Sequence, residues 1–191
     1  MTAPLVVGMS GATGVVYGIE LLKTMRRLGH PTHLIMTEMA VRTLKIETDL
    51  ELDEVRALAD EVHSNKDLAA SVSSGSFRTS GMVIAPCSVK TLSGIATSHS
   101  HNLIIRASDV TLKERRPLVL LARETPLHLG HLRLMTQVTE MGAIIMPPMP
   151  AFYNRPGTIL EIVHQTVGRT LDQLGIDHDL SERWTGPESP L

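Results

Sequence analysis

A chain of 191 residues with 42% hydrophobic residues is long enough to bury the core of one domain. Its 18 basic and 20 acidic side chains nearly cancel, which excludes bulk attraction to nucleic acid or to an anionic membrane surface. One cysteine, Cys87, excludes an intramolecular disulfide and fits a reducing, cytoplasmic setting; Met1 to Pro4 show no basic n-region or long apolar stretch, so neither a signal peptide nor a membrane span is expected.

In chain order, Leu5–Met9 reads as a buried strand. A glycine-rich turn follows, then a helix from Val15 to Leu28 that Gly29 and Pro31 stop. Thr32–Met36 reads as a second strand, followed by a polar helical stretch through Glu47. Leu50–Val62 carries acidic residues at helical spacing, and Ser71–Ser80 is a Ser/Gly loop. Met82–Ala85 is a strand cut at Pro86, with a helix from Ser88 to Ala96. Leu103–Ile105 is a short apolar run, and Asp109–Arg116 a charged helix. Leu118–Leu121 and Ala143–Met146 read as strands around a helix from Pro126 to Met141. A last helix, Gly157–Leu174, ends at Gly175. Alternating strands and helices predict one α/β domain over residues 1–191, a three-layer, Rossmann-like, doubly wound and mostly parallel sheet. A polar tail from about residue 176 is expected to pack over the site or a neighbouring subunit.

Gly8, Gly11 and Gly14 surround the first strand-to-helix turn, where backbone N–H groups and the helix dipole suit an anion. The spacing is G-x-x-G-x-x-G and not the G-x-G-x-x-G of dinucleotide folds, although Glu38 stands where an NAD-ribose carboxylate would. A second candidate helix start is Pro86-Cys87-Ser88-Val89-Lys90-Thr91, where Ser88 and Thr91 share one face and offer two hydroxyls to a phosphate; Ser88 also reads as an N-cap. No His or Asp pattern activates Cys87 as a nucleophile.

Arg106, Lys113, Arg115, Arg116 and Arg123 crowd one segment, as a salt-bridged helix face or as a grip on a phosphate. Arg123-Glu124 follows a strand directly, at the edge where open α/β sheets bind ligands. His99, His101, His128 and His131 lack a third ligand at recognisable spacing, so no metal is expected.

The ordered motifs Gly8-Met-Ser-Gly-Ala-Thr-Gly14, Glu47-Thr48-Asp49, Ser74-Gly75-Ser76, Met82-Val-Ile-Ala-Pro-Cys-Ser-Val-Lys-Thr-Leu92, Asn102-Leu-Ile-Ile-Arg106, Asp109-Val-Thr-Leu-Lys-Glu-Arg-Arg-Pro-Leu118, Arg123-Glu124-Thr125-Pro126 and Pro150-Ala-Phe-Tyr153 span residues 5 to 184 with Arg169 and Trp184. With them the chain resembles the UbiX/Pad flavin prenyltransferases. The resemblance implies transfer of a dimethylallyl group from dimethylallyl phosphate to N5 and C6 of reduced FMN, without a metal. The prenylated FMN goes to a UbiD-type decarboxylase, and the enzyme is a homododecamer with FMN at subunit interfaces. It implies that Gly11, Ala12, Thr13 and Thr37 line the flavin, that Ser88 and Thr91 hold its phosphate and ribityl end, and that Arg123 contacts it. Ser74, Gly75 and Ser76 lie near the prenyl substrate; Arg106, Lys113, Tyr153 and Arg169 bind its phosphate, and Trp184 closes over the site. Glu47 and Glu124 are the acid/base carboxylates, with Lys113 and Arg106 completing the catalytic set. Thr13 replaces the family's usual serine, Glu38 a common lysine, and Ser98-His99-Ser100-His101 a glycine-bearing segment. The competing reading is a protein that binds and delivers FMN or prenyl-FMN without catalysis. An FMN-dependent peptidyl-cysteine decarboxylase lacks its P-x-M-N-x-x-M-W stretch here.

Overall fold

The computed structural model describes residues 2–180 and Gly186, so Trp184 lies outside the described residues. Six strands form one sheet, all neighbours parallel: β1 (Leu5–Met9), β2 (Thr32–Met36), β3 (Glu61–Ser64), β4 (Gly81–Cys87), β5 (Leu118–Ala122) and β6 (Ile144–Ile145), in the order β3-β2-β1-β4-β5-β6. The helices are α1 (Val15–Arg27), α2 (Glu38–Glu47), α3 (Leu52–Arg56), α4 (Val89–Ala96), α5 (Leu103–Lys113), α6 (Leu129–Glu140) and α7 (Ile159–Gln173). Side chains alternate across each strand, so the sheet carries two cores. Leu5, Val7, Met9, Leu34, Val83 and Leu121 pack under α1, α2 and α7. Val6, Ile35, Met82, Ile84 and Leu120 pack under α4, α5 and α6. β1, β4 and β5 are buried on both faces, which is why each reads as an unbroken apolar run.

Four boundaries differ from expectation. The acidic stretch after Leu50 forms only the short α3 and then β3, because Asp60 turns back to accept the Thr32 N–H at 2.7 Å. β3 is an edge strand with only His63 buried, so it shows no apolar alternation. β4 continues through Pro86 to Cys87. A register shift between Ile84 and Cys87 frees the ladder from the N–H that proline lacks, and the Ala85–Pro86 peptide is cis. The apolar run at Leu103 belongs to α5, because Asn102 caps Ile105 N–H at 3.1 Å and Asn65 receives Leu103 and Ile104 N–H. Its apolar residues are the buried stripe of that helix. α6 begins three residues late, at Leu129, capped by His128 Nδ1 on Gly130 N–H at 3.0 Å. Ile176 and Leu180 rest on the α1 side of the core, and Asp179 pairs with Arg27 at 2.9 Å.

Candidate active site

Chain direction across the sheet reverses between β1 and β4, since β2 and β3 lie to one side and β5 and β6 to the other. That switch point opens a crevice at the carboxyl ends of the strands. Ser10 and Ser88 stand on its two sides. The Ser10 hydroxyl donates to the Pro86 carbonyl at 3.0 Å and accepts the Ser88 N–H at 2.8 Å. Ser88 Oγ lies 3.2 Å from Ser10 Oγ and 3.2 Å from Thr91 Oγ1, and caps the Thr91 N–H at 3.4 Å. Both of the expected hydroxyls thus meet at the start of α4, and Ser10, fully buried, is a third that sequence reading left without a role. Its signal was a hydroxyl placed directly after an apolar strand.

The start of α1 is already filled. Glu47, at the last turn of α2, reaches back so that its carboxylate accepts Gly14 N–H at 2.9 Å and Val15 N–H at 3.0 Å. Gly14 sits at φ 100, a conformation that favours glycine, and aims its N–H at that carboxylate. A phosphate therefore has one helix start here, that of α4, and not the two expected. The same contact removes the NAD reading: the place a pyrophosphate takes in dinucleotide folds holds a side-chain anion, and Glu38 pairs with Lys66 at 2.8 Å. Gly11 lies so close to α2 that a Cβ there would collide with Met39, and Thr37 caps α2 by accepting Ala40 N–H at 3.1 Å. Thr13 is exposed beside them. Cys87 is fully buried, and burial pushes its thiol up to about 12, so no thiolate nucleophile is available at neutral pH. Arg123 and Glu124 project from the end of β5, exposed, with Arg123 N–H on the Cys87 carbonyl at 3.0 Å.

The remaining predicted residues lie elsewhere. Ser74, Gly75 and Ser76 precede β4, at the opposite end of the sheet, where Ser80 N–H meets the Pro4 carbonyl. Arg116 clamps this loop through the Gly75 and Phe77 carbonyls, both at 2.8 Å, and Arg106 Nε donates to the Ser73 carbonyl at 3.2 Å. Lys113 pairs with Glu114 against Gly75, and Arg106 with Asp109 at 2.8 Å. Arg169 is on α7, across the sheet from α5, and pairs with Asp172 at 2.7 Å. Tyr153 is exposed in the segment between β6 and α7. One chain thus separates Glu124, beyond the end of β5, from Lys113, before its start, by the length of β5, about 16 Å at 3.3 Å per residue, and places Arg169 on the other face.

Residues 2–169 match the flavoprotein family. The flavin prenyltransferase UbiX of Escherichia coli is 59% identical over 185 residues, covering 95% of this chain and 98% of its own. The chain belongs to the UbiX/Pad-type flavin prenyltransferase family. Among solved UbiX structures, that of AnUbiX in complex with FMN and dimethylallyl pyrophosphate superposes with a TM-score of 0.97 at 52% identity, covering 98% of this chain and 100% of that one. A dodecameric FMN-dependent UbiX-like decarboxylase from Escherichia coli superposes at 0.93 with 49% identity over 96% of this chain and 100% of its own. The UbiX-type fold thus accounts for the all-parallel sheet. No helix among the described residues is long and apolar enough to cross a membrane.

Proposed function

We propose that this chain transfers a dimethylallyl group from dimethylallyl phosphate to N5 and C6 of reduced FMN, and that the product serves a UbiD-type decarboxylase in the cytoplasm. The observation that carries the reading is the convergence of Ser10, Ser88 and Thr91 hydroxyls with the open start of α4 at the β1–β4 switch point. Hydroxyls and free N–H groups are the donors a flavin phosphate and ribityl chain need, so the residues fit FMN. Gly11, Ala12, Thr13, Thr37 and Arg123 border that end and would contact the flavin. Bound there, reduced FMN supplies the nucleophilic ring atoms.

The chain's own side chains supply the rest. Arg106, Lys113 and Arg169 hold the ester phosphate and stabilise charge on its oxygens as the allylic C–O bond breaks. Tyr153 donates a hydrogen bond to the same group, and Ser74, Gly75 and Ser76 border the prenyl chain. Glu124 delivers a proton to the departing phosphate, and Glu47, fixed by its cap on α1, would take the proton that leaves the ring nitrogen; closure at C6 would release the C6 proton while the prenyl double bond gains one, so that step balances without an oxidant.

These groups meet only if several copies of the chain contribute, so the working form is a homo-oligomer, and the dodecamer of the similar decarboxylase supports that size. Met149, Phe152, Ile159 and Leu129, all more than half exposed in one chain, supply apolar surface for such contacts. The test is incubation with FMN, dithionite and dimethylallyl phosphate, followed by mass and absorbance of the extracted flavin. A gain of one prenyl group is expected; unchanged FMN held tightly by the protein would favour the delivery reading.

A further inference from the structure

A polar cluster lies far from the flavin crevice, on the β2–β3 edge. In the parallel ladder His33 stands opposite Glu61 and Ile35 opposite His63. Paired residues, and residues two apart, share a face, so the three side chains converge from two rigid strands. His33 Nδ1 and His63 Nε2 lie 2.9 Å apart. His33 Nε2 is 3.4 Å from one Glu61 oxygen, and His63 Nδ1 is 3.5 Å from the other. Both rings are buried, while the Glu61 side chain is 53% exposed and opens the cluster to solvent.

Of the three contacts only that between His33 and His63 is a hydrogen bond, and one ring N–H serves it. With both rings neutral, one of the two nitrogens that face Glu61 carries a lone pair beside the carboxylate. A cation there, a proton or a metal ion, would satisfy that nitrogen and the carboxylate together.

We propose that His33, His63 and Glu61 form a site for a divalent transition metal of the zinc class. One donor atom from each lies within 4.8 Å of the other two. A four-coordinate zinc keeps its donors about 3.4 Å apart, so the widest pair must close by about 1.4 Å. Two imidazoles and one carboxylate suit zinc or cobalt, with solvent at the open position. The site bears on the loop before β4: the Phe77 ring packs on His33 at 5.3 Å between centroids, and Phe77 N–H donates to the Ser74 carbonyl at 3.2 Å. A bound ion would fix the β3 edge and, through Phe77, the floor of the Ser74-Gly75-Ser76 loop.

The test is titration of chelator-stripped protein with Co2+ alone, followed by visible absorbance and calorimetry. The expected result is one Co2+ per chain with the intense bands of a four-coordinate ion. His63→Gln and Glu61→Gln should each weaken binding by about tenfold or more, while His128→Gln, at an exposed histidine beside the half-buried His131, leaves it unchanged. Should His63→Gln fold poorly, Glu61→Gln on the exposed edge, with its circular dichroism checked, still decides. No saturable binding, or binding by Glu61→Gln equal to that of the parent, would overturn the site.

Discussion

Ser10 and Glu47 are the two side chains on which the flavin end of the molecule turns, and each acts by satisfying backbone groups. Ser10 ties the end of β1 to the end of β4 through Pro86 and Ser88. Ser10→Ala leaves the part-buried Ser88 N–H without its partner, so a loss of about 1 kcal/mol is expected, read from urea midpoints, with weaker FMN binding by fluorescence quenching. Glu47→Ala uncaps α1 and should cost about 1 kcal/mol; an unchanged midpoint would mean that the cap is idle. Glu20 adds a pH dependence. Burial raises its carboxyl, but hydrogen bonds and charge from Lys23 and His164 outweigh that and hold it below its ordinary value of 4.5. A depressed folded value means that the unfolded chain binds more protons, so the stabilisation is complete above the ordinary value and is lost as pH falls through the lowered one. Urea midpoints from about pH 6 down to about pH 3 should fall less steeply in Glu20→Gln. At this scale the meeting of Ser88 and Thr91 at the start of α4 was legible, because residues at i and i+3 share one face of a helix. The Glu47 cap was not, because it joins residues 33 apart in sequence.

The elements were largely legible, since α/β strands buried on both faces announce themselves as apolar runs between turn residues. What escaped, β3 and the first turn of α5, depended on distant partners: Asp60 on Thr32, and Asn65 on Leu103 and Ile104. Helix–sheet spacing offers a sharp test. Gly18, on the buried stripe of α1, lets the helix approach β4 so closely that an added Cβ would strike the Ala85 carbonyl and sit 2.5 Å from Met9 Cε. Backbone cannot swing aside as a side chain can, so Gly18→Ala should destabilise by about 1–3 kcal/mol. It should also loosen the Ser10–Ser88 link at the adjoining strand ends, and a thermal midpoint equal to that of the parent would contradict this packing.

At the scale of the whole molecule, the site residues divide between ends and faces that one chain never brings together. Glu124 projects beyond the end of β5, Lys113 lies before its start, and Arg169 is on the opposite side of the sheet. Motif matching finds such residues because it follows order along the chain. It leaves unstated which copy each one works from, and the proposed site draws them from different copies. The central claim is therefore a shared site, and the direct measurement is complementation. Lys113→Ala and Glu124→Gln, each inactive alone in the flavin mass assay, are co-expressed and co-assembled in equal amounts. Random mixing gives about a quarter of the sites an intact pair, so about that share of parental activity should return. If the mixed assembly stayed as inactive as its components, a site shared between copies would be contradicted.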